Sequence, residues 1–134
     1  MRPTILLGLL LASLAAGCGG KDEEKKVACG PAPAEIASAP KLPDGFPRPD
    51  GVTYTSSQPA GPSTIVDGYR DGELDAAFEA YKDGFESAGY DVTKDEQEED
   101  DAEVNFAGSG TDGQVKLRQE CADRTTVSIT VRPT

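Results

Sequence analysis

The chain has 134 residues, enough for one domain with short appendages. It carries 13 basic and 24 acidic side chains, a formal net charge of −11, with 3 Cys, 1 Met and neither His nor Trp. Without His there is no Ser-His-Asp or Cys-His catalytic set and no imidazole metal site, and so acidic a chain is a poor partner for nucleic acid, whose phosphates need clustered Lys and Arg.

The first segment has a short basic start at Arg2 and an apolar run from Ile5 to Ala16, broken by Gly8 and Ser13. A run of about a dozen residues falls short of the ~20 that cross a membrane. With small residues at its end it fits a secretory signal peptide. Leu14-Ala15-Ala16-Gly17-Cys18 resembles a bacterial lipobox. It departs from that pattern at Ala15, three positions before the Cys, where Leu is commoner. The resemblance implies a signal peptide over residues 1–17, cut before Cys18, and a diacylglycerol on the Cys18 thiol. A lipidated bacterial Cys carries at least two acyl chains such as palmitate, and one chain alone anchors only marginally at ~0.8 kcal/mol per buried methylene. The implied address is the extracytoplasmic side of the cell membrane, with the membrane itself as first partner. Loss of Arg2 with the signal takes the mature charge from −11 to −12.

Residues 18–27 are polar and of mixed charge, a flexible tether. Residues 28–49 hold Pro31, Pro33, Pro40, Pro43, Pro47 and Pro49, which forbid a regular helix or central strand. They are expected to form an extended arm along the domain, with Leu42 and Phe46 as apolar anchors and at best one helical turn over Glu35–Ser38. Beyond Cys18 only Cys29 and Cys121 remain. In an oxidising exported compartment an even pair predicts one disulfide bond. It closes a loop of about 93 residues, a stabilisation of about 4–5 kcal/mol on the chain-entropy model.

Residues 50–134 read as an α+β domain. Val52 and Tyr54 alternate in a first strand, and Pro59–Pro62 is a turn. A second strand runs over Ser63–Arg70. Leu74, Ala77, Phe78, Tyr81, Phe85 and Ala88 then make one apolar stripe on a 3.6 period, an amphipathic helix. Asp71 is expected to cap its start and Gly89 to end it. Gly84 is expected to let the helix approach the sheet. Tyr90 and Val92 start a third strand, and Ala102, Val104 and Phe106 share a face in a fourth. Ser109–Gly113 is a hairpin turn. Val115, Leu117 and Cys121 belong to a fifth strand, and Val127, Ile129 and Val131 to a sixth. The order β-β-α-β-β-β-β predicts a small antiparallel sheet with the helix on one face.

The side chains that invite a chemical reading are mostly acids. Asp95, Glu96, Glu98, Glu99, Asp100, Asp101 and Glu103 crowd one stretch, and hard oxygen ligands suit Ca²⁺. Asp95, Glu98, Asp100 and Asp101 are the weak metal candidates, but the EF-hand spacing and its Gly are missing. A solvated loop held open by like charge is the plainer reading. A catalytic carboxylate pair needs one desolvated acid. Asp67 alone, between Ile65 and Tyr69, comes near that, and Asp67-Gly68 is more simply a bulge. Lys116, Arg118 and Arg132 alternate with core residues and are expected on the sheet face opposite the helix, a candidate binding face. Glu103 and Glu120 are placed to neutralise them across strands. No cofactor is implied. The sequence thus points to a lipid-anchored, non-enzymatic binding or envelope-associated module, its partner an envelope protein or small ligand. A cation-binding surface protein and a carboxylate-based envelope enzyme are the rivals.

Overall fold

A computed structural model describes residues 26–134. The segment expected to be a signal peptide (1–17), the Cys18 expected to be lipidated and nearly all of the expected tether (18–27) lie outside the described residues. In chain order the elements are β1 (Val52–Ala60), β2 (Ser63–Asp71), α1 (Leu74–Ser87), β3 (Asp91–Gln97), β4 (Asp101–Gly108), β5 (Thr111–Cys121) and β6 (Arg124–Pro133). The strands form one six-stranded antiparallel sheet in the order β1-β2-β6-β5-β4-β3. The helix carries the chain from β2 to the far edge, so the last strand closes beside β2. This is an α+β fold that is mostly sheet.

One face of the sheet is apolar and covered by α1. Period-two alternation points Val104 and Phe106, Val115 and Leu117, and Val127, Ile129 and Val131 to that side. The helix answers with Leu74, Ala77, Phe78, Tyr81 and Phe85, all buried. In β2 it is Val66 and Gly68 that face inward, so Ile65, Asp67 and Tyr69 lie on the outer face. The extra residue of the bulge is in β1, where the register shifts between Tyr54 and Ser56, and not at Asp67-Gly68. Gly68 is needed opposite that bulge because a Cβ there would meet the Thr53 carbonyl oxygen at 2.3 Å.

The helix ends are held differently from one another. Asp71 is the last residue of β2 and caps nothing; the N-cap position is Glu73, with no side-chain cap bond. The cap comes from the sheet: Gln119 Oε1 accepts the Leu74 N–H at 2.7 Å. At the other end Gly89 has φ 82°, its N–H bonds Glu86 O at 3.1 Å, and the Tyr90 N–H bonds Phe85 O at 2.9 Å. That is a Schellman ending, complete with the contact between the Phe85 and Tyr90 rings at 5.5 Å. Gly84 gives room to the arm rather than the sheet, since a Cβ there would lie 3.0 Å from Pro47.

The arm is extended as expected, but Glu35–Ser38 makes only a bend and no helical turn. Ile36 N–H bonds the Tyr54 carbonyl at 2.9 Å, which covers part of the β1 edge. Phe46 enters the core, its ring edge-on to Phe85, Tyr90 and Phe106 at 5.3 to 5.9 Å, while Phe85 and Phe106 stack at 4.4 Å. Such pairs add about 0.5–1.5 kcal/mol each beyond the area they bury. The start of the arm is fastened covalently. Cys29 and Cys121 form a disulfide with Cα atoms 5.1 Å apart. The Ala122 N–H also bonds Val27 O at 2.8 Å. Among the described residues no helix is long and apolar enough to cross a membrane.

Candidate functional site

The face of the sheet that α1 leaves uncovered is polar. Its residues are those that alternate with the core. Lys116 lies opposite Ser128 on β6 and Glu103 on β4, and Arg118 lies opposite Thr126 and Asp101. Arg132 lies opposite Asp112 on β5. All three expected cations are therefore on this face, but they do not form one patch. Each stands beside a carboxylate. Arg132 makes a two-pronged pair with Asp112, its Nη2 at 3.3 Å from Oδ2. That bond raises the pKa of the guanidinium. Arg118 Nε is 3.8 Å from Asp101 Oδ1. Glu103 is held below the usual carboxylate range, first by the Asn105 amide that donates to it at 2.8 Å, and less by Lys116. Such exposed pairs add little to stability because water screens them; their effect here is to flatten the local field.

Glu120 does not join this group. It pairs with Arg124, whose Nη1 is 3.5 Å away. Arg124 is 8% exposed, lies over the Tyr69 ring at 5.4 Å, and donates from Nη2 to Gly30 O at 2.8 Å. It ties the arm to the sheet beside the disulfide. Asp67 is also occupied. Ser128 and Ser56 donate to its two oxygens at 2.7 and 3.0 Å. It is a hydrogen-bonded hub of the outer face and not a desolvated acid.

The acidic stretch is not a loop. Asp95 and Glu96 belong to β3 and Asp101 and Glu103 to β4, leaving only Glu98–Asp100 for the turn. Strand alternation sends these carboxylates in different directions. Asp95 turns to the helix side and pairs with Lys82 at 2.9 Å, which raises the pKa of that lysine. Glu98 and Asp101 border a shallow depression of about 330 Å³ with Glu96, Glu103 and Lys116. Asp100 lies by Lys26, Val27 and Cys121. No group of three or more acidic or Cys side chains suited to a metal ion lies among the described residues.

The larger hollow of the outer face lies elsewhere. Ser63, Asn105, Asp112, Gln114, Thr130 and Arg132 surround a shallow depression of about 420 Å³. These side chains converge on it from four strands, β2, β4, β5 and β6. Gln114 Nε2 donates weakly to Asn105 Oδ1 at 3.4 Å. Asn105 and Arg132 come into view from the sequence as outward residues. Thr130 is outward by the same alternation, whereas Gln114 stands out only through cross-strand register, which puts it directly opposite Thr130. The chain matches no protein-family model, no curated protein and no solved structure.

Proposed function

We propose that the chain is a lipid-anchored extracytoplasmic binding module whose ligand is held on the outer face of the sheet. The observation that carries this reading is the uncovered polar face with its 420 Å³ depression, in a fold whose other face is closed by α1. Concave surfaces with converging polar groups are the usual seats of ligands. The lipobox-like Leu14–Cys18 segment supplies the anchor. The Cys29–Cys121 disulfide supports an oxidising, exported setting. The role is one of binding rather than turnover. Asp67, the acid with the best claim to catalysis, has both carboxylate oxygens engaged by serine hydroxyls.

Two experiments test it. Wild-type protein is expected in the membrane fraction, with Cys18→Ser either released or left as uncut precursor. An unmodified N-terminus elsewhere, found by mass spectrometry of the mature protein, would remove the anchor. For the face, a pull-down from envelope extract with wild type and with Lys116→Ala, Arg118→Ala and Arg132→Ala combined is expected to differ in what it recovers. Equal recovery would reduce the face to solvated sheet.

A further inference from the structure

We propose that the start of the arm, residues 26–35, is a redox-held strap over a latent carboxylate site. Reduction of the Cys29–Cys121 disulfide lifts this segment from the β5–β6 turn and frees the Arg124 guanidinium for a ligand carboxylate. Arg124 stands at the opposite end of β6 from Arg132 and the depression beside it. The inference therefore goes beyond the reading of that depression and does not depend on it.

The guanidinium sets the ligand chemistry. Its Nε–H and the adjacent Nη2–H point the same way, a fork that matches the two oxygens of a carboxylate. Arg132 uses that edge in this molecule, with Nε and Nη2 on the two oxygens of Asp112. In Arg124 the same edge meets a single carbonyl. Nη2 donates to Gly30 O at 2.8 Å, and Nε is buried with no partner among the described residues. Glu120 takes Nη1, at 3.5 Å, and leaves the fork alone. A buried donor without a partner costs free energy. The fork is thus half filled by the strap, and a carboxylate would fill both prongs.

The disulfide is what keeps Gly30 in place. Residues 31–35 are exposed and make no hydrogen bond to the other described residues. The segment is otherwise held by Val27 O, which accepts from Ala122 N–H at 2.8 Å, by Cys29 Sγ, which accepts from Asp123 N–H at 3.4 Å, and by Gly30 O. Ordering one residue costs at least what one such bond returns, so these few bonds do not hold the whole segment without the covalent link. The rest of the arm has its own fastenings, Ile36 N–H on Tyr54 O and Phe46 in the core. Reduction therefore frees the start of the arm alone. Cys29 is partly exposed and Cys121 only 8%, so a dithiol reductant enters at Cys29. Its thiolate attacks the Cys29 sulfur, the S–S bond breaks and Cys121 leaves as thiolate; the second reductant thiol then displaces Cys29. The reductant's two thiols become a disulfide and the protein's disulfide becomes two thiols, with two electrons and two protons transferred. In an oxidising compartment the strap stays shut until such a dithiol reaches it.

The test compares the full chain in detergent micelles, oxidised and reduced with dithiothreitol. Amide hydrogen exchange read by mass spectrometry is expected to speed up about tenfold or more at Ala122 on reduction, while peptides over Val127–Val131 keep their protection. Phenylglyoxal, an arginine reagent, is expected to label Arg124 several-fold faster in the reduced chain and Arg132 at the same rate in both. Acetate is expected to slow that labelling in the reduced chain, and chloride at equal ionic strength to leave it unchanged. The double variant Cys29→Ser, Cys121→Ser is expected to behave as the reduced chain without reductant. Exchange that rises throughout the sheet on reduction would overturn the strap, since the segment would then not open by itself. Equal labelling of Arg124 in both states would overturn it too. Equal effects of acetate and chloride would overturn the carboxylate site and leave Arg124 as a fastener of the arm.

Discussion

Gln119 shows how much one polar side chain can hold in this core. It is 8% exposed, on the apolar face. Its Oε1 caps the helix at Leu74, and its Nε2 donates to Cys121 O at 2.7 Å and to Arg124 O at 3.3 Å. A Gln119→Ala variant strands a helix-end N–H and two carbonyls at once. The expected loss is about 2–3 kcal/mol, read as a lower midpoint in urea with an unchanged slope. Tyr54 and Tyr81 present the opposite case. Their hydroxyls are buried close to one another without a well-aligned hydrogen-bond partner. Burial raises both pKa values above 10.0, that of Tyr81 strongly, and each is affected by the other. An acid whose folded pKa is raised leaves stability intact below its unfolded pKa, and that stability is lost as pH rises past it. Unfolding should therefore become easier from about pH 10 upward. Tyr81→Phe is expected to blunt that alkaline loss. At neutral pH it is expected to be neutral or stabilising by up to about 1 kcal/mol, because the unpartnered hydroxyl goes. Denaturant melts of both proteins at about pH 8 and about pH 11 check both statements; a large loss of neutral-pH stability would show that the hydroxyl is in fact satisfied.

Among elements, the β4–β5 hairpin has the clearest local defect. Ser109 and Gly110 form its two-residue turn with φ 50° and 71°, the mirror-image geometry that suits strand twist. Gly is at ease there and Ser is not. Asn tolerates positive φ better, so Ser109→Asn is expected to stabilise by about 0.5–1 kcal/mol, visible as a higher melting temperature with no change in the fold. The β3 edge shows a different device. It is exposed along nearly its whole length and carries Asp91, Lys94, Asp95 and Glu96. Charges on an edge strand discourage pairing with another chain. The acidic stretch therefore has a structural use in the strands that hold it. The β1 edge is protected instead by backbone bonding to the arm at Ile36.

For the whole molecule, the arm and the disulfide act together. Phe46 stands in the aromatic cluster with Phe85, Tyr90 and Phe106, so residues before β1 complete the core. Phe46→Ala should cost about 3–5 kcal/mol, a large share of the ~5–15 kcal/mol that hold a domain of this size. The disulfide joins residues 92 apart in sequence. Its reduction is expected to lower stability by about 4–5 kcal/mol on the loop-entropy model, and Cys121→Ser to do the same in denaturant melts. Native unreduced protein should contain no alkylatable thiol at these two positions. The described chain is thus fastened at its start, Val27–Cys29, to the β5–β6 turn.

The sequence by itself determined what depends on neighbours along the chain. The helical stripe from Leu74 to Phe85, the glycine ending at Gly89, the alternation of Val127, Ile129 and Val131, and the pairing of the last two cysteines are all local patterns or simple counts. The α+β class followed from them. Tertiary structure decided what depends on register between distant segments. A period of two leaves open which set of side chains faces inward, so Asp67 was legible only as an acid between two apolar residues until Gly68 was seen against the Thr53 carbonyl. The helix cap illustrates the same limit: Asp71 is near in sequence, but Gln119 is near in space. The candidate site was half legible. Alternation put Lys116, Arg118 and Arg132 on the outer face. Hairpin register brought each to its own carboxylate, and only the strand order β1-β2-β6-β5-β4-β3 could bring Ser63 of β2 to one hollow with Asn105, Gln114 and Thr130. Lateral pairing of strands is a long-range choice, made by core packing and backbone hydrogen bonds that no short window of sequence contains.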